Sequence, residues 1–244
     1  MDNVVILVSL IILLGGFTQG LTGFGLALVS VPLLSLVVDA KLAIPVAGIF
    51  GWLVTFPVVW KMRQHIQFKT ALIVVAGSVP ASFIGARLLA VLPSTYILIA
   101  MGITLVLSSI QSLRNSKALL NKASTPVSLG AGFTSGVLGA SVGEPGPPVI
   151  AYTSMMPWTS DQTKSTLVFI FMLQMIGAIA GFWSHGLITE DVTGLVVKAM
   201  PAFIIGTSMG MLGYYLLHKF KIDYHKIVHS MLFAIGILLI VKNI

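Results

Sequence analysis

Residues 15–32, GGFTQGLTGFGLALVSVP, decide how this chain is read, because their pattern returns at residues 132–148 as GFTSGVLGASVGEPGPP. A shift of 116 positions (16 to 132) places Gly16, Phe17, Thr18, Gly20, Gly23 and Pro32 on Gly132, Phe133, Thr134, Gly136, Gly139 and Pro148. Four of these six identities are glycine or proline, residues that let a backbone turn tightly or remove a helix donor. Both copies lie in strongly apolar surroundings, so each predicts a helix break at membrane depth.

Composition sets the class around them. Of 244 residues 57% are hydrophobic and 9% charged, with a mean hydropathy of +1.02, whereas a soluble domain carries about 25% charged residues. The chain therefore reads as a polytopic membrane protein. It opens Met-Asp-Asn without a basic n-region, so its first apolar run is expected to be a retained segment and not a signal peptide. With no cysteine, disulfides, thiolate metal sites and cysteine nucleophiles are excluded. The net charge of +7 fits basic cytoplasmic loops better than nucleic acid, which is not an expected partner. No Walker-type phosphate loop is present, which argues against primary pumping by this chain alone.

Apolar segments run over residues 4–37, 42–60, 70–92, 95–112, 126–157, 165–184, 192–217 and 227–241. Six have the length of ordinary spans. The first and fifth would reach roughly 50 Å as unbroken helices, against a hydrocarbon core of about 30 Å. Each is expected to be interrupted midway, as one long broken span or as a hairpin of two short helices that leaves on the side it entered. Charge favours hairpins. If both segments return to their starting side, Lys61, Arg63, Lys69, Arg114, Lys117, Lys122, Lys164, Lys219, Lys221 and Lys226 share one face. Only Lys41 and Lys242 then lie opposite, accompanied by Asp2, Asp39, Glu190 and Asp191. The positive-inside rule puts both termini outside.

A half made of one hairpin and three spans ends on the side opposite to its start. The expected fold is thus an all-α polytopic membrane protein of two inverted repeats, residues 1–114 and 126–244, each a broken-helix hairpin plus three transmembrane helices. A cytoplasmic linker at residues 115–125 joins them. Pro80-Ala81 with Gly85 and Pro201-Ala202 with Gly206 extend the repeat into the third span of each half, and His65 and His185 fall in equivalent loops. Inverted repeats with interrupted helices recur in secondary transporters.

These residues resemble the TauE/SafE sulfite exporter family, also called the TSUP family. The resemblance rests on GxxxGLxGFG at residues 16–25 followed by Pro32, on GFxxGxxG at residues 132–139 followed by PGPP at 145–148, and on repeat spacing over nearly the whole chain. It implies an inner-membrane transporter of sulfur-containing anions such as sulfite, sulfoacetate and related organosulfonates, driven by a proton gradient, without a cofactor. Where many members carry a glycine-rich run in the second motif, this chain reads Ser141-Val142-Gly143-Glu144-Pro145.

An anion brought to mid-membrane needs donors without a large fixed charge, and the N-terminal amides of a broken helix supply them with the positive end of its dipole. Thr18, Gln19, Thr22, Thr134, Ser135 and Ser141 are the expected side-chain ligands, with Gly23, Gly25, Gly139 and Gly143 giving access to the backbone. The competing reading is close helix packing by small residues; a repeated break favours a site. Glu144, the one acid inside an apolar segment, is the expected carrier of the coupling proton, since burial disfavours a charged carboxyl. The alternative is a structural acid fixed by donors or by a basic partner.

Arg87 and Lys198 lie near the outer ends of their spans, where each either lines an anion path or snorkels to the headgroups. Gln174, in the middle of the sixth segment, either lines the cavity or bridges helices. His225 and His229 stand one turn apart with no acid nearby, so no metal site is expected. Trp52, Trp60, Trp158 and Trp183 read as interfacial anchors. The function that follows is secondary transport of a small sulfur-containing anion by alternating access, coupled to protons. The alternatives are an anion channel or a carrier of a sulfur-free carboxylate. An intramembrane enzyme is disfavoured, because no second acid, midspan histidine or nucleophile-base pair accompanies Glu144.

Overall fold

A computed structural model describes residues 2–22, 25–112, 124–220 and 224–244. Among the described residues the secondary structure is helical throughout: α1 (Asp2–Thr22), α2 (Leu26–Leu34), α3 (Ala40–Met62), α4 (Phe68–Val91), α5 (Ser94–Ser112), α6 (Thr125–Val142), α7 (Gly146–Ser154), α8 (Ser160–Ser184), α9 (Glu190–Phe220) and α10 (Tyr224–Asn243), with a short 3₁₀ turn at Arg63–His65. The expected all-α membrane class is therefore observed. Five helices contain windows long and apolar enough to cross a membrane, in α1, α3, α4, α8 and α9, and shorter apolar helices cover Ser94–Ile110 and Leu232–Asn243. Large apolar side chains such as Leu10, Leu72, Ile103, Val197 and Leu212 stand exposed on them, as lipid-facing positions require. The linker at 115–125 falls almost wholly outside the described residues.

Local chemistry accounts for the helix starts. Thr159 caps α8 through a reciprocal box in which its Oγ1 accepts from Gln162 N and Gln162 Oε1 accepts from Thr159 N, satisfying two donors that the helix leaves unpaired. Asp39 accepts from Lys41 N at 2.8 Å and from Ser94 Oγ at 2.7 Å, tying the starts of α3 and α5 together.

Both long segments are hairpins, with unequal arms. α1 has 21 residues and α2 only nine; α6 has 18 and α7 nine. The expectation of a midway break into two short helices is corrected to a span-length arm and a half-length one. Leu26 N donates to Gln19 Oε1 at 2.9 Å and Ser30, a turn later in α2, lies against Gly15, a turn earlier in α1, so α2 runs back along α1. In the second hairpin Ser135 meets Pro145 and Ser128 meets Tyr152, the same antiparallel order. The reversals occur where glycine adopts positive φ, Gly25 at 117° and Gly143 at 78°, and not at the repeated glycines Gly16, Gly20, Gly132 and Gly136, which sit inside regular helix. A non-glycine residue in this region costs about 1–2 kcal/mol. Gly143→Ala is therefore expected to lower the thermal midpoint in detergent by several degrees, and an unchanged midpoint would show that the loop tolerates the Cβ.

The chain forms two compact units. The first comprises Met1–Gly51, Pro93–Leu113 and Leu187–Ile244, the second Trp52–Leu92 and Arg114–Gly186. In the first, α1 packs on α9 and α5 on α10; in the second, α4 packs on α6 and α8. Neither unit coincides with a half of the sequence, since each joins one hairpin to helices of the other half.

Glycine makes both main contacts. A Cβ on Gly16 would lie 3.2 Å from Phe203 O, and one on Gly20 2.6 Å from Thr207 O; on Gly206 it would lie 2.2 Å from Leu13 O. The second unit repeats this pattern: a Cβ added at Gly132 would lie 2.0 Å from Val74 O, one at Gly136 2.3 Å from Ser78 O and one at Gly77 2.5 Å from Leu129 O. The packing thus pairs α6 with α1 at the offset of 116 read from the sequence, and α9 with α4 at 129 (74 to 203). The recurrence of Pro80-Ala81 and Gly85 at Pro201-Ala202 and Gly206 is not this register, because Gly85 faces Val137 O whereas Gly206 faces Leu13 O. Nor does Pro32 correspond to Pro148: Pro32 is seventh in α2 and Pro148 third in α7.

The four tryptophans differ in their surroundings. Trp60 and Trp183 are exposed near the ends of α3 and α8. Trp52 is midway along α3 and donates to Met172 O at 3.0 Å, and Trp158 packs on the cluster around Tyr152 and Met156.

Candidate functional site

The second hairpin loop assembles the most specific chemistry. α6 ends at Val142, and the amides of Gly143 and Glu144 both turn back to Leu138 O, the latter at 3.4 Å. The chain then enters α7 through Pro145-Gly146-Pro147-Pro148. Three of these four residues have no N–H, so the start of α7 offers the Gly146 amide alone where a helix usually offers several.

Ser135, one face of α6 above the loop, places Oγ 2.6 Å from Pro145 O and 3.0 Å from Gln174 Oε1, and its single hydrogen serves one of them at a time. Gln174, in the middle of α8, donates Nε2 to Ser135 O at 3.0 Å. A Cβ on Gly139 would stand 2.6 Å from that amide nitrogen and 2.9 Å from Pro145 Cβ, so the room Gly139 leaves is filled by protein. Glu144 is 1% exposed, and its Oε1 has no hydrogen-bond partner among the described residues. Leaving such an oxygen buried and unpaired is costly, which keeps Glu144 a candidate functional group. Because Gly85 packs against Val137 O and Ser141 N, the loop lies level with the last two turns of α4.

The first hairpin loop has different chemistry. Gln19 Oε1 takes the Leu26 amide, which makes Gln19 a cap for α2. Val29 N donates to Gly25 O at 3.1 Å within the first turn of α2. Residues 15–38 contain no acid. Two hydroxyls absent from the sequence reading lie beside α1: Ser30 Oγ against Gly15 and Thr207 Oγ1 against Gly16, both buried and both without a partner among the described residues. The signal that marks them is a hydroxyl opposite or between close-packing glycines, as in GTSMG at residues 206–210.

The remaining candidates divide clearly. Ser135, Gly139, Gly143, Glu144 and Gln174 come together at the second loop. Thr18, Thr134 and Ser141 each donate to the carbonyl four residues back, Leu14, Gly130 and Val137, the habit of hydroxyls within helices; Thr134 is exposed. Thr22, as a side chain, and Gly23 fall outside the described residues, as do the side chains of His225 and His229. Lys198 is exposed beside Val197. Arg87 is exposed among Phe83, Ile84 and Leu88; Gly85 faces α6, and two residues further is about 200° around the helix. Arg87→Gln is therefore expected to leave the half-saturating anion concentration within about twofold of wild type, and a tenfold rise in uptake assays would restore Arg87 to the anion path.

Among the described residues no group of three or more histidine, aspartate or glutamate side chains is placed to hold a metal ion. A family model described as "Sulfite exporter TauE/SafE" matches residues 8–239, nearly the whole chain. No match was found among curated proteins or solved structures.

Proposed function

Because the chain belongs to the TauE/SafE sulfite exporter family, and is with it a multi-pass membrane transporter of sulfur-containing anions and not an enzyme, we propose that it moves sulfite, sulfoacetate or a related organosulfonate across the inner membrane by alternating access, coupled to protons through Glu144. The observation that carries the coupling is the buried, unpartnered Glu144 Oε1 at a helix break, since an intramembrane acid is retained against its cost where a charge must be moved.

The anion belongs at the first break. The start of α2 carries the positive end of its dipole, and residues 15–38 contain no acid. Two inverted repeats with both termini outside are the topology we assign. Matched glycine contacts, Gly16 with Phe203 O as Gly132 with Val74 O, support the repeat, and the distribution of lysine and arginine supports the orientation.

Uptake of labelled sulfite, sulfoacetate and a sulfur-free dicarboxylate into proteoliposomes, with and without an imposed pH gradient, tests this reading. Saturable, gradient-driven accumulation of a sulfur anion is expected. Accumulation of the dicarboxylate alone would overturn the substrate class. Flux that neither saturates nor accumulates would replace carrier by channel.

A further inference from the structure

At the second hairpin loop acceptors outnumber free donors among the described residues. At the second loop every hydrogen bond formed is already between protein groups: the Gly143 and Glu144 amides go to Leu138 O, Gln174 Nε2 to Ser135 O, and the Ser135 hydroxyl has two acceptors for one hydrogen. Pro145, Pro147 and Pro148 contribute none. Against these stand the Glu144 carboxylate, Pro145 O, Gln174 Oε1 and the carbonyl end of α6, whose dipole is negative. An arriving anion meets one backbone amide and a carboxylate. A cation meets a buried oxygen that lacks any partner among the described residues.

We propose that the second loop is a pocket for one positive charge, a proton or an alkali-metal ion held at Glu144, from which the transported anion is excluded, and that Ser135 and Gln174 position this loop without touching substrate. The inference rests on the reading of Glu144 as the coupling acid. It departs from an anion shell shared by both breaks: the matched hairpins divide the work, one taking the anion and the other its co-transported charge. Ser135 and Gln174 together fix Pro145 O and the α6 backbone, which sets where the Glu144 side chain leaves the chain.

The other charged or titratable groups on the helices around the loop do not reach it. Lys69 and Arg87 on α4 and Asp161 on α8 are exposed. Lys164 stands ten residues before Gln174, about 15 Å of helix, and the His185 ring nitrogen Nδ1 is engaged by Gly181 O at 2.8 Å and Ser184 Oγ at 3.1 Å. The Tyr152 hydroxyl on α7 is held at 2.6 Å by Ser128.

The test is flux in proteoliposomes of whichever sulfur anion the wild type carries, measured against anion concentration, pH and sodium, for wild type, Ser135→Ala and Gln174→Met. KM for the anion is expected to stay within about twofold while maximal flux falls about tenfold, and the midpoint of the pH or sodium dependence moves by about half a unit or more. A tenfold rise in KM with that dependence unchanged overturns the proposal, because the two side chains then hold the anion. A wild type that responds to neither pH nor sodium overturns the reading of Glu144, and the assignment of charge with it, while the KM comparison still decides whether the anion is excluded. Response to sodium at fixed pH assigns the charge to the metal ion; response to pH at fixed sodium assigns it to the proton. If Ser135→Ala does not elute as a single folded species, Ser135→Cys, which keeps a weak donor in nearly the same volume, takes its place with the same readings.

Discussion

Glu144→Gln is expected to abolish the response of anion flux to an imposed pH gradient, lowering gradient-driven accumulation by about tenfold or more, while the half-saturating anion concentration changes by no more than about twofold. Glutamine keeps the shape of the neutral carboxylic acid but has no proton to release in this pH range. The side chain is buried and Oε1 has no partner among the described residues, so the substitution breaks no hydrogen bond at that atom and removes no counter-charge from it. A structural acid would behave differently: its loss would lower the amount of folded protein and leave the remaining flux as responsive to pH as before. The two outcomes separate when flux is normalised to protein that elutes as one species. Retention of full gradient stimulation in the folded variant would falsify the coupling role.

Gly132→Leu should be the most damaging single change to the fold. Its ideal Cβ already lies 2.0 Å from Val74 O and 2.9 Å from Val74 C, both backbone atoms that cannot swing aside. α4 and α6 would have to separate, and with them the contacts of Gly136 on Ser78 O and Gly85 on Val137 O. Close approach of this kind is a principal source of helix association where lipid is as apolar as the side chains. Loss of monodisperse protein in detergent is the expected result. Gly130, two residues earlier in the same helix, has no atom within 4 Å of its Cβ position, and Gly130→Leu is expected to change stability by no more than about 0.5 kcal/mol. Equal behaviour of the two variants would remove the packing argument.

The sequence made the helices legible and left their contacts obscure. Apolar length located the segments within a few residues of their observed ends, and the charge distribution favoured the hairpins that the helices form. Glycine was harder. The same residue type marks a reversal at Gly143 and a helix-helix contact at Gly136, and only φ separates them. Hydroxyls failed for a related reason: Thr134 and Ser135 are neighbours in sequence, but 100° of helix sends one outward to bond its own helix and the other into the loop. Gln174 and Glu144 were singled out because polar groups are rare at such depth, whereas Ser30 and Thr207 carried no such flag. Arg87 could be read either way until the face of α4 that holds Gly85 was known.

The interleaving of the compact units bears on how the chain is made. When a ribosome has released the first 125 residues, neither unit can close: α1 still lacks α9, and α4 still lacks α6. At that length the glycine faces of α1 and α4 are still without the partners they have in the folded chain. Synthesis of α6 completes the contact that α4 needs, while α1 waits until α9 emerges. Assembly therefore follows the late helices, and the first half is a template on which the second half settles.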